Sequence, residues 1–296
     1  MTKPILQNEL VSLSSALTQL VSGGSASIVA VKSHRHQASG FLWRSGLVVT
    51  SEEAMSNEGP WTVVLANGNT VVATLVGRDP TTDIALLRID DKTAGTSNLS
   101  FDPVELGSIA VALAAEGEGA TTAAFGIVSR ASGSWRSMRG GEINQRIELD
   151  ARLSSRAEGG LAFTSNGKAF GMVVRGASRR ALVIPTATIE RVASRLESHG
   201  SIAHGYLGLG LQPISVDGHT EAAAMIVSVD KNGPAAAAGF FQGDILISWN
   251  DLPLHSIRNL TASLGPDSIG QKVQLGIIRA GQQHKIALTV AERPQA

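Results

Sequence analysis

Apolar residues recur along this chain with two different periods. Between residues 5 and 21, Leu6, Leu10, Leu13, Leu17 and Leu20 fall at alternating steps of four and three, with Glu9, Ser12 and Gln19 elsewhere. That spacing predicts a helix with a narrow apolar seam. Such a seam either lies on its own domain or joins helices from several copies; the small number of heptads favours the first. Ser22-Gly-Gly-Ser25 is expected to end the helix and act as a hinge. From Ile28 to about Ala187 the pattern shortens to strands: Ile28 to Val31, Leu47 to Thr50, Trp61 to Leu65, Val71 to Val76 and Ile84 to Ile89. Asn67-Gly68 predicts a hairpin with a type I′ turn. Short strands separated by Gly, Asn and Pro, with no alternating helices, point to a mainly β barrel or sandwich. Residues 188 to 199 return to helical period, with Ile189, Val192, Ala193 and Leu196 on one face and Gly200 as the C-cap. The resulting division is 1–24 as helix and hinge, 25–200 as a β domain, and 201–296 as a second domain.

Composition narrows the classes. The 296 residues suffice for two domains, and 43% hydrophobic with 17% charged residues fits a globular protein. No apolar run approaches the roughly 20 residues of a membrane span. Lys+Arg and Asp+Glu both total 25, which argues against nucleic acid as a partner. Cysteine is absent, which excludes disulfides, thiol catalysis and cysteine metal sites. No motif calls for a cofactor. The first ten residues lack the layout of a signal peptide. A complete chain is therefore expected to be cytoplasmic, and one whose leader has been trimmed periplasmic.

The most informative stretch runs from Ile147 to Ala162: a strand ending at Asp150, a polar loop, Gly159-Gly160, then an apolar run from Leu161. With Asp150, Ala151, Leu153, Gly159 and Gly160 in register, it resembles the nucleophile segment of HtrA (Deg) trypsin-like proteases. Arg78-Asp-Pro-Thr-Thr-Asp-Ile-Ala-Leu-Leu-Arg88 is similar to that family's triad-aspartate motif, and Thr50-Ser-Glu-Glu-Ala-Met55 to its histidine motif. Phe125-Gly-Ile-Val-Ser129 and Leu182-Val-Ile-Pro185 extend the likeness. The resemblance implies a chymotrypsin-like double β-barrel in which Glu53, Asp83 and Glu158 take the triad positions. It also assigns Arg156 and Gly159 to a degenerate oxyanion hole.

Two of those three triad positions carry the wrong chemistry. Acyl transfer needs a hydroxyl and a neighbouring base of near-neutral pKa. A glutamate, with a reference value near ~4.3, is a poor base and no acid once ionised. In subtilisin, loss of nucleophile or base alone costs about 10⁶ in turnover. The expectation is a degenerate, catalytically inactive member, a pseudoprotease. Ser154 and Ser155 read as ordinary loop serines rather than relocated nucleophiles. His34 and His36 read as a solvated strand end, since no third metal ligand accompanies them.

Glu53, Asp83 and Glu158 should converge, which requires a retained proton, a bound cation or arginine neutralisation. Ten lysines and arginines, Arg179 among them, against four acids between residues 130 and 180 favour arginine. Calcium wants about six to eight oxygens, more than three carboxylates readily supply. A carboxylate-pair glycosidase is the remotest option.

The remainder resembles a PDZ domain. Gly205-Tyr-Leu-Gly-Leu-Gly-Leu211 is similar to the carboxylate-binding loop of the family's PDZ modules. Val227 to Ala235, with Gly239 and Gly243-Asp-Ile-Leu-Ile-Ser-Trp-Asn250, matches the core of the module. Successive amides of a glycine-rich turn grip a terminal carboxylate while a sheet edge accepts the peptide. Tyr206, Leu207, Gly208 and Leu209 would form the loop, with Ile257 and Leu260 lining the groove. The expected partners are peptide or protein C-termini, unfolded proteins or an active paralogue. The expected roles are chaperone, adaptor or regulatory scaffold in protein quality control, and the family resemblance adds a homo-oligomer, a trimer. The alternative is an active hydrolase with a relocated serine or a metal at the three-carboxylate cluster.

Overall fold

The computed structural model describes all residues except 1–3, 35, 57, 92–94, 153, 177–179, 217–218 and 295–296. Leu153 and Arg179 therefore lie outside the described residues. The chain forms two compact units: Met1–Trp135 with Glu142–Ser201, and Arg136–Gly141 with Ile202–Ala296.

Helix α1 spans Pro4–Ser25, four residues past the expected end. The Ser22–Ser25 hinge is thus corrected to helix. Ser25 Oγ donates to the Val21 carbonyl at 2.6 Å, and buried Gly24 packs on the adjoining barrel. A Cβ on Gly24 would lie 2.6 Å from Leu113 Cδ1 and 3.0 Å from Phe163 Cζ, so glycine is required there for close approach rather than for bending. The seam covers only part of the barrel: Leu17 and Leu20 are half-buried, whereas Leu10 and Leu13 are 66% and 45% exposed. The reading of α1 as a helix lying wholly on its own domain fails for its first half.

The first barrel is closed in the order β1 (Ile28–Ser33), β2 (His36–Arg44), β3 (Leu47–Thr50), β6 (Ile84–Ile89), β5 (Thr70–Asp79), β4 (Trp61–Val64). Its core gathers Val29, Val31, Leu42, Val48, Val63 and Leu87. The β4–β5 connection is wider than a type I′ hairpin. Gly68 has φ +84° and donates to the Leu65 carbonyl, while Asn67 is not among the positive-φ residues and its side chain accepts from the Asn69 amide. A single left-handed glycine after an ordinary turn suffices when the loop runs over 65–69.

The second barrel contains β7 (Ile109–Gly117), β8 (Ala120–Ser132), β11 (Arg146–Arg152), β12 (Leu161–Thr164), β13 (Ala169–Arg175) and β14 (Arg180–Pro185). A two-stranded ribbon, β9 (Trp135–Arg136) with β10 (Glu142–Ile143), precedes β11. Helix α2 (Thr186–His199) buries Ile189, Val192, Ala193 and Leu196 and ends on Gly200 at φ +73°. Each of the three large side chains contributes roughly 1.5–3 kcal/mol by leaving water.

In the second unit, β15 (Gly205–Tyr206) leads into a sheet ordered β16 (Leu209–Val216), β17 (His219–Val229), β18 (Ile245–Trp249), β20 (Lys272–Arg279), β21 (Gln282–Thr289). Short β19 (Leu252–Pro253) pairs with β18, and β22 (Ala291–Glu292) with β15. Helices α3 (Pro234–Ala238) and α4 (Ile257–Ala262) complete the unit. Its core includes Leu207, Ile226, Phe240, Leu246, Leu260 and Leu275. The architecture is mainly β, two six-stranded barrels followed by a PDZ fold.

Candidate functional site

The turn after β5 positions Asp83. The Asp79 carboxylate accepts from the Thr81 amide at 3.0 Å and from the hydroxyls of Thr81 and Thr82, both at 2.7 Å. This ties the Asp-Pro-Thr-Thr turn tightly and leaves Asp83 at φ +59°, a conformation that aspartate tolerates better than most residues. Asp83 then accepts from the Glu53 amide at 2.7 Å and from the Ser51 hydroxyl at 2.8 and 3.0 Å. Burial pushes the Asp83 carboxyl up to about 7, opposed by these hydrogen bonds and reinforced by the neighbouring Glu53 and Glu158 carboxylates. The main chain of Glu53 is thus docked on the aspartate, while its side chain is exposed.

Glu158 lies at the end of a 3₁₀ turn, Ser155–Ala157, just before Gly159. The turn is clamped to the first barrel through Ser39. The Ser39 amide donates to the Glu158 carbonyl at 2.9 Å, and its hydroxyl donates to the Arg156 carbonyl at 2.6 Å. The Ala115 amide donates to the same hydroxyl at 2.9 Å. Gly159, at φ +93°, has no room for a side chain, because a Cβ would stand 2.0 Å from the Ser39 carbonyl oxygen. Its amide donates to the Val173 carbonyl at 2.8 Å. That bond commits the N–H, so it is not offered to an oxyanion.

The Glu158 carboxylate is buried and ion-paired with Arg175 Nη2 at 2.6 Å. Burial raises its pKa; the Arg175 guanidinium opposes the rise and Glu53 adds to it. Arginine neutralisation thus applies to Glu158, through an arginine at the end of β13, whereas Asp83 has its carboxyl raised instead. Arg156, by contrast, is exposed, and its carbonyl rather than its guanidinium faces Ser39. Glu53, Glu158, Arg156, Arg175, His36 and Gln37 line a cleft of about 490 Å³. Among the described residues no group of three His, Asp or Glu side chains is arranged to hold a metal ion. Ser154 is exposed and caps nothing.

Sequence reasoning missed Ser39, Ser51 and Arg175. Ser51 stands two residues before Glu53, where its short hydroxyl reaches the aspartate. Ser39 lies inside a strand with no turn signal, and nothing local marks it.

In the second unit, Tyr206 OH donates to Asp230 Oδ2 at 2.8 Å, which holds Asp230 below the usual carboxylate range together with the Asn232 amide. Leu207 is buried in the core and its carbonyl accepts from the Ala235 amide; Gly208, at φ +76°, accepts from the Asp230 amide. The amides of Leu207 and Gly208 donate to no described residue, which leaves two N–H groups of one turn free for an anion. Leu209 opens β16, an edge strand of the sheet, and packs half-buried on the core beside Leu211 and Ile257. Leu260 is only 3% exposed and belongs to the core rather than to a groove wall, which corrects that expectation. Asp244, from the Gly243-Asp pair, accepts two hydrogen bonds from Arg279, both at 2.7 Å, and one from the Phe241 amide. Burial alone would raise its carboxyl, but these donors hold it below the usual range.

The two units define a class. Residues 38–172 match the trypsin-like peptidase domain and residues 205–290 the PDZ domain. A "Probable periplasmic serine endoprotease DegP-like" of Bartonella henselae is 32% identical over 270 residues, covering 86% of this chain and 53% of that protein. The protein of the same description from Rhizobium meliloti is 29% identical over 276 residues, covering 88% and 54%. The chain spans about half the length of these curated relatives. Among solved structures, "HtrA-type protease AlgW with decapeptide" shares the fold with a TM-score of 0.72 at 22% identity, covering 94% of this chain and 98% of that one. The serine endoprotease from Yersinia pestis gives 0.72 at 24% identity, with the same coverage. Together these likenesses show a trypsin-like peptidase domain followed by a PDZ domain, similar to the DegP-like proteases, in a fold shared with HtrA-type structures.

Proposed function

We propose that this chain is a pseudoprotease: an HtrA-like scaffold that binds polypeptides without cutting them. The carrying observation is Glu158. A buried carboxylate, ion-paired to Arg175, stands immediately before Gly159-Gly160, where the family resemblance requires a hydroxyl. Glu53 occupies the companion position, its amide on Asp83 and a carboxylate in place of an imidazole. With carboxylates at 53 and 158, the cleft lacks the paired hydroxyl and imidazole that form an acyl-enzyme.

Binding falls to the second unit. The free amides of Leu207 and Gly208, beside the exposed edge of β16, suit a peptide that ends in a carboxylate and adds a strand. The role is that of chaperone, adaptor or regulatory scaffold, acting on free or unfolded C-termini or on an active paralogue. The periplasmic character of the DegP-like relatives favours that compartment over the cytoplasm. Among the described residues no helix is long and apolar enough to cross a membrane. Exposed Leu10, Val11 and Leu13 on α1 favour self-association, with a trimer as the expected assembly.

The test is a paired assay on the purified chain. Fluorescence anisotropy should show saturable binding of peptides with a free apolar C-terminus and loss of binding when that terminus is amidated. The same preparation should not cleave those peptides. Equal affinity for free and amidated peptides would remove the binding half of the proposal.

A further inference from the structure

The tip of the first hairpin is the polar end of an otherwise apolar pair of strands. β1 runs from buried Ile28–Val31 to half-buried Lys32 and Ser33, and β2 returns through exposed His36 and half-buried Gln37. Strand register sets Lys32 opposite Gln37 on β2 and opposite Thr62 on β4. Directly opposed residues point to the same face of a sheet, so these three polar side chains share one side. A hollow of about 440 Å³ opens there, bordered by Lys32, His34, His36, Gln37, Thr62 and Arg156. Lys32 and Gln37 lean toward one point: a Cβ on Gly117, which has none, would stand 3.5 Å from Lys32 Nζ and 3.3 Å from Gln37 Oε1.

The wall of this hollow offers donors and asks for acceptors. Among the described residues no acidic side chain borders it, and neither Lys32 Nζ nor the Arg156 guanidinium has an ion-pair or hydrogen-bond partner. Arg175, by contrast, is matched by Glu158. Gln37 Nε2 is buried and donates to no described residue. An ammonium and a guanidinium can only donate, and an imidazole keeps at least one N–H. The missing partner is therefore a group that carries several oxygens and negative charge. Charge and volume choose among such groups. A carboxylate brings one charge against two permanent cations, whereas a phosphomonoester brings about −1.5 to −2 near neutral pH, with three acceptor oxygens. The five heavy atoms of a bare phosphate, at about 30 Å³ each or less, fill at most about a third of the hollow. Its volume lies within the roughly 300–1,000 Å³ of small-molecule sites, which leaves space for an organic part along Pro60 and Thr62.

We propose that this hollow binds a phosphorylated small molecule, its phosphate held by Lys32, Arg156 and the Gln37 amide. The site is distinct from the carboxylate-gripping turn of the second unit, and it holds whether or not the cleft is catalytic.

The test is isothermal titration calorimetry of the full chain in low salt at neutral pH, with phenyl phosphate as the probe and inorganic phosphate and benzoate as comparators. Phenyl phosphate should bind at least fivefold more tightly than inorganic phosphate and at least tenfold more tightly than benzoate. Arg156→Gln, at an exposed position, should weaken it at least fivefold with Tm unchanged, and Lys32→Gln should do the same. Should Lys32→Gln lower Tm, Arg156→Gln decides alone. Gln37→Glu, which keeps the shape and sets a carboxylate on the wall, should abolish binding. Absence of binding overturns the proposal, and so does binding that Arg156→Gln leaves unaltered, because the anion then sits elsewhere, as on the amides of Leu207 and Gly208. Equal affinity for inorganic and phenyl phosphate overturns it too, since an adventitious ion only is then bound. So does attachment to phosphatidate vesicles without binding of phenyl phosphate, which would make the hollow a lipid-headgroup site.

Discussion

Each unit of this protein builds an aspartate into its scaffold, and the two have opposite surroundings. Asp244 in the PDZ unit is 2% exposed and held by a two-pronged Arg279 guanidinium. Asp83, beside the barrel cleft, has a hydroxyl, an amide and two neighbouring glutamates around it. The first is a structural carboxylate with its charge matched. The second is half-buried and docked on the main chain of residue 53, and its carboxyl is pushed up to about 7. On the pseudoprotease reading proposed above, the PDZ unit keeps a charge-matched aspartate while the barrel cleft keeps its scaffold without its chemistry.

The sharpest way to break this contrast is at the seam that the cleft shares with its scaffold. Gly159→Ala places a Cβ 2.0 Å from the Ser39 carbonyl at a left-handed backbone position. It should cost more than about 4 kcal/mol and leave the barrels unable to fold, as read by circular dichroism and soluble yield. Removing the matched charge comes next. Arg279→Ala strands a buried Asp244; because Arg279 is itself a third exposed, the loss should be about 3 kcal/mol by urea denaturation at neutral pH.

Titration then separates the two aspartates by sign. Asp83 is raised from 3.8 to about 7 on folding, so the folded chain holds more protons than the unfolded one across that window, and this contribution to stability falls as pH rises from about 4 to 7. Asp244 is lowered, so its contribution is present above the ordinary carboxylate value and is lost as pH falls below it. Asp83→Asn should therefore stabilise the protein at pH 8 by roughly 2 kcal/mol, part of the ~4 kcal/mol that a three-unit shift represents, and should flatten the pH dependence between 4 and 7. Denaturation midpoints at pH 5 and 8 that do not differ between wild type and Asp83→Asn would contradict it. Glu53→His tests the same point by addition: an imidazole docked at that position should pull the Asp83 carboxyl well below 7, read by NMR titration. Smallest of all is Glu158→Ser, which should yield no hydrolysis, since Glu53 is still no base.

Much of this was legible along the chain. Short strands and helical period announced the β domain and α2 with its Gly200 cap, while the double barrel and the placing of Glu53 and Glu158 on one cleft came from the family resemblance. Three positions differ from what local pattern suggested, two of them because of contacts between segments distant in sequence. Gly24 looked like a hinge because its role is set by Leu113 and Phe163. The Asn67-Gly68 turn was read from two residues when the loop spans five. Gly159 looked available to an oxyanion because its bond to Val173 crosses from the loop to β13. Arg175 was visible only as one of ten local cations; strand register, not local pattern, selects it as the partner of Glu158.

The central claim concerns chemistry at the cleft, and one measurement bears on it directly: incubation of the purified, unmodified chain with casein and a fluorogenic peptide, alongside a serine-reactive fluorophosphonate probe. The account predicts no turnover above the buffer rate and no labelling. Cleavage that disappears when one of the chain's own residues, such as Ser154, is replaced by alanine would contradict it.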